Sequence, residues 1–306
     1  MKRFFDDISD ILSQDPGGRG LMRFLPRPDP APAYAALGNV RRALIVTGFP
    51  IRTPDGRVAC ETDGPAGAAD MAHALAACGA AVGIATDETS FAQVRAAADC
   101  RAPAVRTYLV RRGDPAAAGR LVLDLAPTHV IAIERPGKAA DGHFYTSRGA
   151  MIDDLLADTD LLYSLARESG ALSIAIGDGG NELGTGAHRA AVSRLIPGGG
   201  VIAAQQDADV ALMTGVSNWW GWGVAALLGA RAGRDLLPTP AQETRLMRAL
   251  LEAGAVDGIT RRPALSTDNL PLEANLAVLE ALRAALRRYL VRRAQNNEEY
   301  SRIETA

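Results

Sequence analysis

The sequence predicts an α/β protein with three layers, in which a largely parallel sheet carries helices on both faces. Short β-branched or apolar runs alternate with Ala-rich segments of helical character, which is typical of such sheets. The chain has 306 residues, of which 48% are hydrophobic, so it can bury a sizeable core. We interpret residues 1–306 as one domain, with residues 1–40 as an N-terminal helical lead-in and residues 293–306 as a polar tail.

The lead-in is predicted to begin with an amphipathic helix over residues 1–14. Phe4, Ile8 and Leu12 recur there at helical spacing. A Pro-rich connector at 26–32 then separates this helix from the first strand.

Seven short apolar runs are the candidate strands. They cover residues 42–48, 81–86, 104–110, 129–134, 172–177, 200–204 ("GVIAA") and 209–215. The intervening helices are expected at 65–79, after Asp87 as a cap, from Pro115, at 153–169, 219–233 and 240–253, and from Pro271 onward. Because each strand is followed by a helix, the strands are expected to run parallel.

The bulk composition excludes several classes of partner. A net charge of -2 and a pI of about 6.1 provide no basic field for nucleic acid. No apolar run approaches the ~20 residues of a membrane span. Three widely spaced cysteines without a CxxC pair indicate reduced thiols and a cytoplasmic protein. The tryptophans at 219–222 are expected in the core or at an interface, so a homo-oligomer is an open possibility.

Polar, Gly-rich segments follow five of the predicted strands. They are "TGFP" (47–50), "TDE" (86–88), "ERPGKAADGHFY" (134–145), "GDGGNE" (177–182) and "TGVSN" (214–218). In a parallel sheet such loops all emerge at the carboxyl edge, where ligands bind in open α/β folds. We therefore expect a small-molecule site there.

The loop "GDGGNE" is the sharpest candidate. Gly179 and Gly180 permit a tight turn and close approach of a ligand. Asp178 and Glu182 offer hard oxygen ligands for Mg or Mn, or alternatively an acid/base pair, and Asn181 would orient either. A plain Asp turn with a capping Glu is the structural alternative.

A second candidate loop follows the fourth predicted strand, residues 129–134. Glu134 is a further catalytic candidate, and Arg135 and Lys138 suit a substrate carboxylate, with Asp141 beside them. Structural ion pairs are the alternative.

Three residues in other loops complete the predicted site. Asp63 lies just before a helix, where an N-cap or Asx turn competes with a catalytic role. Asn218 lies at the edge of the site, and Thr47 follows the first strand.

Several well-defined motifs are absent from the sequence. "GDGGNELG" lacks the spacing of G-x-G-x-x-G, and no G-x-x-x-x-G-K-[ST] occurs, so no nucleotide cofactor is expected. H-E-x-x-H and G-x-S-x-G are missing as well.

A set of motifs spread over about 230 residues resembles one family. They are "TGFP", "ETDGPAGA" (61–68), "IERPGKAADGHFY" (133–145), "IGDGGNELGTG" (176–186), "TGVSNW" (214–219), "GAVDGIT" (254–260) and "STDNLPLE" (266–273), with "DPGGRGL" (15–21) before them. The chain resembles the D-glutamate cyclase family, the module at the C-terminal part of larger animal enzymes, here in a stand-alone form of bacterial type. The resemblance implies conversion of D-glutamate to 5-oxo-D-proline with loss of water. Two departures are "NWWGWG", where a single Trp is expected, and Asn269, where Gly is expected.

The implied reaction requires particular groups. The α-amine needs a base, the departing oxygen needs a proton, and the ionised γ-carboxylate must be neutralised by a metal or by cations. Asp178 and Glu182 would bind that metal or act as the acid/base pair, with Glu134 and Asp63 as further candidates. Arg135, Lys138 and the N–H groups near Gly179 would hold the carboxylates.

Two other functions remain open at this point. "GDGGNE" also resembles the metal loop of haloacid dehalogenase-like phosphatases, but the D-x-D nucleophile they need after the first strand is missing, since no Asp follows until Asp55. A non-catalytic protein that binds a small dicarboxylate would use the same loops.

Overall fold

A six-stranded parallel sheet forms the middle layer, as the alternation of strands and helices predicts. The computed structural model describes residues 1–18 and 21–304, with side chains up to residue 296. The strands are β1 (Arg42–Thr47), β2 (Pro50–Arg52), β3 (Val58–Cys60), β4 (Ala81–Asp87), β5 (Arg106–Val110), β6 (His129–Ile133), β7 (Leu172–Gly177), β8 (Val210–Met213), β9 (Ser266–Thr267) and β10 (Leu270–Pro271). The helices are α1 (Lys2–Leu12), α2 (Pro30–Ala36), α3 (Pro65–Ala77), α4 (Phe91–Arg101), α5 (Pro115–Leu125), α6 (Thr159–Glu168), α7 (Arg189–Leu195), α8 (Gly199–Ile202), α9 (Ser217–Ala232), α10 (Pro240–Glu252) and α11 (Leu272–Glu304).

The strand order places a ligand crevice at the middle of the sheet. The order is β5-β4-β1-β6-β7-β8, and all of these neighbours pair in parallel. Two hairpins, β2–β3 and β9–β10, lie outside the sheet. The winding reverses between β1 and β6, and ligands of doubly wound sheets bind beyond the carboxyl ends of the strands at such a reversal. Thr47 and Glu134 lie at those two strand ends.

Alternate residues of the central strands pack on opposite helical layers. Ile45 and Ile131 belong to the core shared with α1, α3, α9 and α11. Leu44 and Val130 belong to the core shared with α5 and α6. This two-residue period confirms helices on both faces of the sheet.

The N-terminal helix is confirmed as α1. Phe4, Ile8 and Leu12 are fully buried, and the Phe4 ring stacks on Tyr289 of α11 at 4.9 Å between centroids. Helix α11 is continuous to Glu304, so the predicted polar tail is helical as far as it is described. Residues 305–306 of that tail, and residues 19–20 of "DPGGRGL", lie outside the described residues.

Three local predictions are wrong. The run "GVIAA" contributes to the short helix α8, because Gly198 turns the chain at φ 75° and its carbonyl accepts the N–H of Val201. The helix expected from residue 153 begins only at Thr159, where Asp158 is the N-cap. Asp87 does not cap α4; its Oδ1 accepts the N–H of Ser90, the residue before that helix.

The three tryptophans of α9 lie in the core of the chain. Trp219, Trp220 and Trp222 are each at most 1% exposed. Their indole N–H groups donate to Asn275, to the Met213 carbonyl and to Asp70. The tryptophan segment therefore offers no surface to a second subunit, and the core interpretation is correct.

Candidate active site

Two helix N-termini meet at the carboxyl edge of the sheet and cap each other. Asp63, just before α3, accepts the backbone N–H of Ser217 (2.9 Å) and of Asn218 (2.7 Å) at the start of α9. Asn218 Oδ1 in turn accepts the N–H of Gly64 (2.9 Å) and Gly67 (2.7 Å) at the start of α3. Asp63 and Asn218 are therefore reciprocal caps, because each side chain satisfies amides that the other helix leaves unpaired.

The reciprocal caps depend on two glycines at the helix crossing. A Cβ atom on Gly221 of α9 would lie 2.4 Å from the Cα atom of Gly67 in α3. Side chains larger than hydrogen would separate the helices and pull the caps apart.

The loop "GDGGNE" is organised by its own glutamate. Glu182 Oε1 accepts the N–H of Asp178 (3.3 Å) and Gly179 (2.7 Å), and Oε2 accepts that of Gly180 (2.7 Å). Gly180 has φ 85°, a conformation that favours glycine. The N–H groups that the sequence suggested for a substrate carboxylate are thus directed at Glu182.

Glu134 lies directly beyond β6 with unusual surroundings. It adopts φ 41° and is 4% exposed, and Ser217 Oγ donates a 2.5 Å hydrogen bond to its Oε2. Burial raises the pKa of Glu134 well above its ordinary value, and the nearby carboxylates of Asp178 and Glu182 raise it further. Glu134 is therefore a buried acid that holds its proton to unusually high pH.

Buried carboxyl groups converge around Asp178. Its carboxylate lies within 4.8 Å of those of Asp63 and Asp268, and also within 4.8 Å of those of Glu134 and Glu182. Hard carboxylate oxygens are the ligands that Mg and Mn prefer, so the donor chemistry fits such an ion.

A cavity of about 220 Å³ opens beside these groups. Its polar lining includes Glu61, Glu134 and Asn181, and apolar walls come from residues such as Phe49 and Ile152. Arg52, Arg148 and Arg261 also line it, and all three are exposed. The volume is below the 300–1,000 Å³ of drug-sized pockets and suits a small metabolite.

Comparison with known proteins shows the family of the chain. The sequence pattern of the family described as D-glutamate cyclase-like, C-terminal, matches residues 8–283. The chain belongs to this family. The human protein "D-glutamate cyclase, mitochondrial" is 30% identical over 314 aligned residues, which cover 87% of this chain and 49% of the human protein. The chain thus spans about half the length of that relative.

In this member of the D-glutamate cyclase-like family, the Arg135 guanidinium is bound by other residues of the protein. It is fully buried and forms an ion pair with Asp87 (2.6 Å). It also donates to Thr159 (2.8 Å) and to the carbonyls of Gly48 (2.9 Å) and Ala157 (2.8 Å). Arg135 does not line the cavity, and its contacts join the loops that follow β1, β4 and β6.

Lys138 and Asp141 lie on the surface, away from the cavity lining. The Lys138 ammonium pairs with Asp158 at 2.5 Å. Asp141 accepts hydrogen bonds from the Tyr145 hydroxyl (2.6 Å) and the His143 N–H, which lower the pKa of Asp141.

Two other predicted site residues stay at the carboxyl edge. Asn181 lines the cavity, and its Nδ2 donates to the Tyr145 carbonyl at 2.9 Å. Thr47 is fully buried at the end of β1, and its hydroxyl has no hydrogen-bond partner within the described residues.

Sequence reasoning missed the acids in two quoted motifs of the family. Asp257 of "GAVDGIT" accepts the N–H of Thr260 (2.8 Å) and Asn269 (2.8 Å) and the hydroxyl of Ser266 (2.7 Å). Burial acts to raise the pKa of Asp257, but these hydrogen bonds outweigh it and hold the pKa below its ordinary value. Asp268 of "STDNLPLE" reaches the carboxylate group around Asp178. Neither motif follows a strand of the sheet, so strand position gave no signal.

The departure at Asn269 has a structural reason. Asn269 adopts φ 63°, the left-handed region that Gly enters freely and that Asn tolerates best among the other residues. Asn therefore replaces the Gly that the family resemblance implies without changing the turn.

Glu61, Arg148 and Arg261 were also missed. Glu61 belongs to a quoted motif, but it lacks the position directly before a helix that made Asp63 a candidate. The two arginines are exposed, and neither belongs to a quoted motif, although Arg261 directly follows "GAVDGIT". Among the described residues, no helix has the length and apolar character needed to cross a membrane.

Proposed function

We propose that the protein is a hydro-lyase that cyclises D-glutamate to 5-oxo-D-proline and water. The observation that carries the proposal is Glu134, a buried acid with a raised pKa that lines a small cavity in a D-glutamate cyclase-like chain. The name of the human relative supports the substrate, and the cavity size suits it.

The proton balance of lactam formation matches a carboxylic acid beside carboxylates. The α-ammonium loses two protons on becoming an amide N–H, and the departing γ-oxygen gains two on becoming water. In the proposed mechanism Glu134 protonates the γ-carboxyl group, and a neighbouring carboxylate accepts a proton from the nitrogen. The ionised Glu134 then accepts the second proton from the nitrogen, and the neighbouring group gives its proton to the departing oxygen, so water leaves and both groups return to their starting states. We assign that base to Asp178, because its carboxylate lies within 4.8 Å of that of Glu134, whereas Glu182 is occupied by three backbone N–H groups.

The cavity would lower the activation barrier further by holding the substrate in a folded conformation. A substrate folded with its amine against its own γ-carbon reacts intramolecularly, and such positioning can be worth ~7–11 kcal/mol. If Mg or Mn takes part, Asp178 and Asp268 would hold it, and it would supply charge neutralisation of the γ-carboxylate.

The geometry disfavours phosphatase chemistry. Residues 47–50 follow β1 without an acid, and Asp55 lies in the exposed turn between β2 and β3, hydrogen-bonded to Thr53 and Arg57. An aspartyl nucleophile is therefore missing directly after β1, where that mechanism requires it.

The proposal includes a compartment and a class of partner. All three cysteines are free thiols, which suits the cytoplasm or another reducing compartment. The partner is a small amino acid, and no nucleotide cofactor is required by the reaction.

The deciding experiment is a turnover assay on the purified chain. It is incubated with D-glutamate and with L-glutamate, each with EDTA, Mg or Mn, and 5-oxoproline is followed by chiral chromatography. We expect 5-oxo-D-proline from the D-enantiomer. Absence of product from both enantiomers in every condition would refute the cyclase. Stabilisation against heat by glutamate without product would indicate a binding protein, and phosphate release from aryl phosphates a phosphatase.

A further inference from the structure

Two arginines of the cavity lack a carboxylate partner. Arg148 lies on the hairpin formed by residues 144–152, and Arg261 lies in the loop 257–262. Within the described residues, the Arg148 guanidinium bonds only to the Ile259 carbonyl (3.2 Å), and that of Arg261 has no hydrogen-bond or ion-pair partner. Arg52, the third arginine of the lining, is paired with Asp154. Two uncompensated positive charges therefore lie beside a cavity that also contains two buried acids.

The backbone that carries these arginines is firmly held. Arg261 adopts φ 58°, an unfavourable conformation for a side chain of this size, and its N–H donates to the Asp257 carbonyl at 2.7 Å. The Asp257 carboxylate binds the N–H groups of Ile259 and Thr260 in the same loop. The bond from Arg148 to Ile259 then joins the loop to the hairpin, so the Arg148 guanidinium is held beside the backbone that carries Arg261.

The charges of a cyclising amino acid determine which end meets which group. The γ-carboxylate must lose its charge to react, whereas the α-carboxylate remains an anion from substrate to product. We infer that Arg148 and Arg261 bind the α-carboxylate at the mouth of the cavity, so that the γ-carboxyl group is placed against Glu134. This inference rests on the proposed function. The reverse orientation would place the permanent anion against Glu134 and away from the two arginines.

A specific kinetic signature follows from this role. The α-carboxylate carries the same charge in the substrate and in the transition state, so its binding is uniform along the reaction. Loss of either arginine should raise KM for D-glutamate with little change in kcat. A merely structural role would lower kcat as well, because it would displace Glu134 and Asp178.

The first test measures binding and does not depend on turnover. Calorimetry compares the affinities of the wild type, Arg148→Met and Arg261→Met for 5-oxo-D-proline. We expect each variant to bind it ~10–100-fold more weakly, as for a lost charged hydrogen bond. The matched control Arg57→Met, at an exposed arginine that pairs with Asp55 and lies outside the cavity lining, should change the affinity less than about threefold. Unchanged affinity in both cavity variants, or no binding of 5-oxo-D-proline or D-glutamate by the wild type, would overturn the inference.

The second test uses a substrate without the α-carboxylate. 4-Aminobutanoate cyclises to 2-pyrrolidinone, and the two methionine variants should convert it as well as the wild type does. Separately, Arg148→Lys should recover part of the affinity for D-glutamate. Equal losses on D-glutamate and 4-aminobutanoate would contradict the assignment. Weakened binding of 5-oxo-D-proline by the variants, in a protein that forms no product, would refute the cyclase and leave the carboxylate site standing.

Discussion

Glu134 and Glu182 are both buried carboxyl groups at the carboxyl edge of the sheet, and their surroundings assign them different tasks. Glu182 accepts three backbone N–H groups and thereby fixes the loop 178–182. Glu134 accepts one hydroxyl hydrogen bond, faces other carboxylates and lines the cavity. The first group therefore holds structure, and the second is available for proton transfer.

Replacing each glutamate by glutamine should separate these tasks. Glu134→Gln keeps an oxygen that accepts the Ser217 hydrogen bond but cannot donate a carboxylic proton, so kcat for 5-oxo-D-proline should fall ~100- to 10,000-fold without loss of stability. Glu182→Gln leaves loop N–H groups without an acceptor and should lower the free energy of unfolding by about 1–3 kcal/mol. Chromatographic turnover and urea denaturation measure the two effects, and the reverse pattern would contradict both assignments.

At the scale of elements, the site is built by the crossing of α3 and α9. Gly67 and Gly221 let the helix backbones approach, and Asp63 and Asn218 then bond the opposite N-termini. Ser217, the first residue of α9, also donates to Glu134. The helix crossing therefore sets the position of the proposed acid.

A methyl group at the crossing should disturb both stability and activity. Gly221→Ala places a Cβ 2.4 Å from the backbone of Gly67, and such overpacking should cost about 1–3 kcal/mol of unfolding free energy and lower turnover. The matched control is Gly119→Ala in α5, where a Cβ meets nothing within 4 Å and the better helix propensity should add up to about 1 kcal/mol. Equal stability changes in the two variants, measured by chemical denaturation, would show that the crossing tolerates a side chain.

The pattern of elements was accessible from the sequence because it depends on local periodicity, but the roles inside the site were not. The parallel sheet, α1 and the start of α5 at Pro115 follow from apolar spacing and helix-start chemistry and are confirmed. Whether Asp63 meets a substrate or a distant helix depends on a partner 154 residues away, which spacing cannot reveal. The same limit applies to Arg135, whose buried partners come from four separate loop positions.

At the scale of the whole molecule, a second buried acid lies far from the cavity between α3, α9 and α10. Burial raises the pKa of Glu243 well above its ordinary value, and the adjacent Asp70 carboxylate adds to the effect. Asp70 itself pairs with Arg101 (2.6 Å) and accepts the Trp222 N–H (2.8 Å). The folded chain therefore favours the protonated form of Glu243.

The raised pKa values of Glu243 and Glu134 predict a contribution to stability that falls with rising pH. Their contribution is fully present below pH 4.5, the ordinary pKa of the carboxyl group, and is lost as the pH rises through the higher folded-state pKa. Glu243→Gln, which can still donate to Asp70, should flatten the curve of unfolding free energy against pH. Glu252→Gln on the exposed side of α10 should leave the curve unchanged, and a Glu243→Gln curve with the same slope as the wild-type curve would contradict the assignment.

The reciprocal caps also constrain when the site can form during protein synthesis. Gly64 and Asn218 are separated by 154 residues, so α3 leaves the ribosome long before the amide that caps it. Until Asn218 emerges, Asp63 has no α9 amides to bind and Glu134 has no Ser217 hydroxyl. The proposed active site is therefore completed late in translation, and a chain that stops before residue 217 can form strands of the sheet but lacks the hydroxyl that binds Glu134.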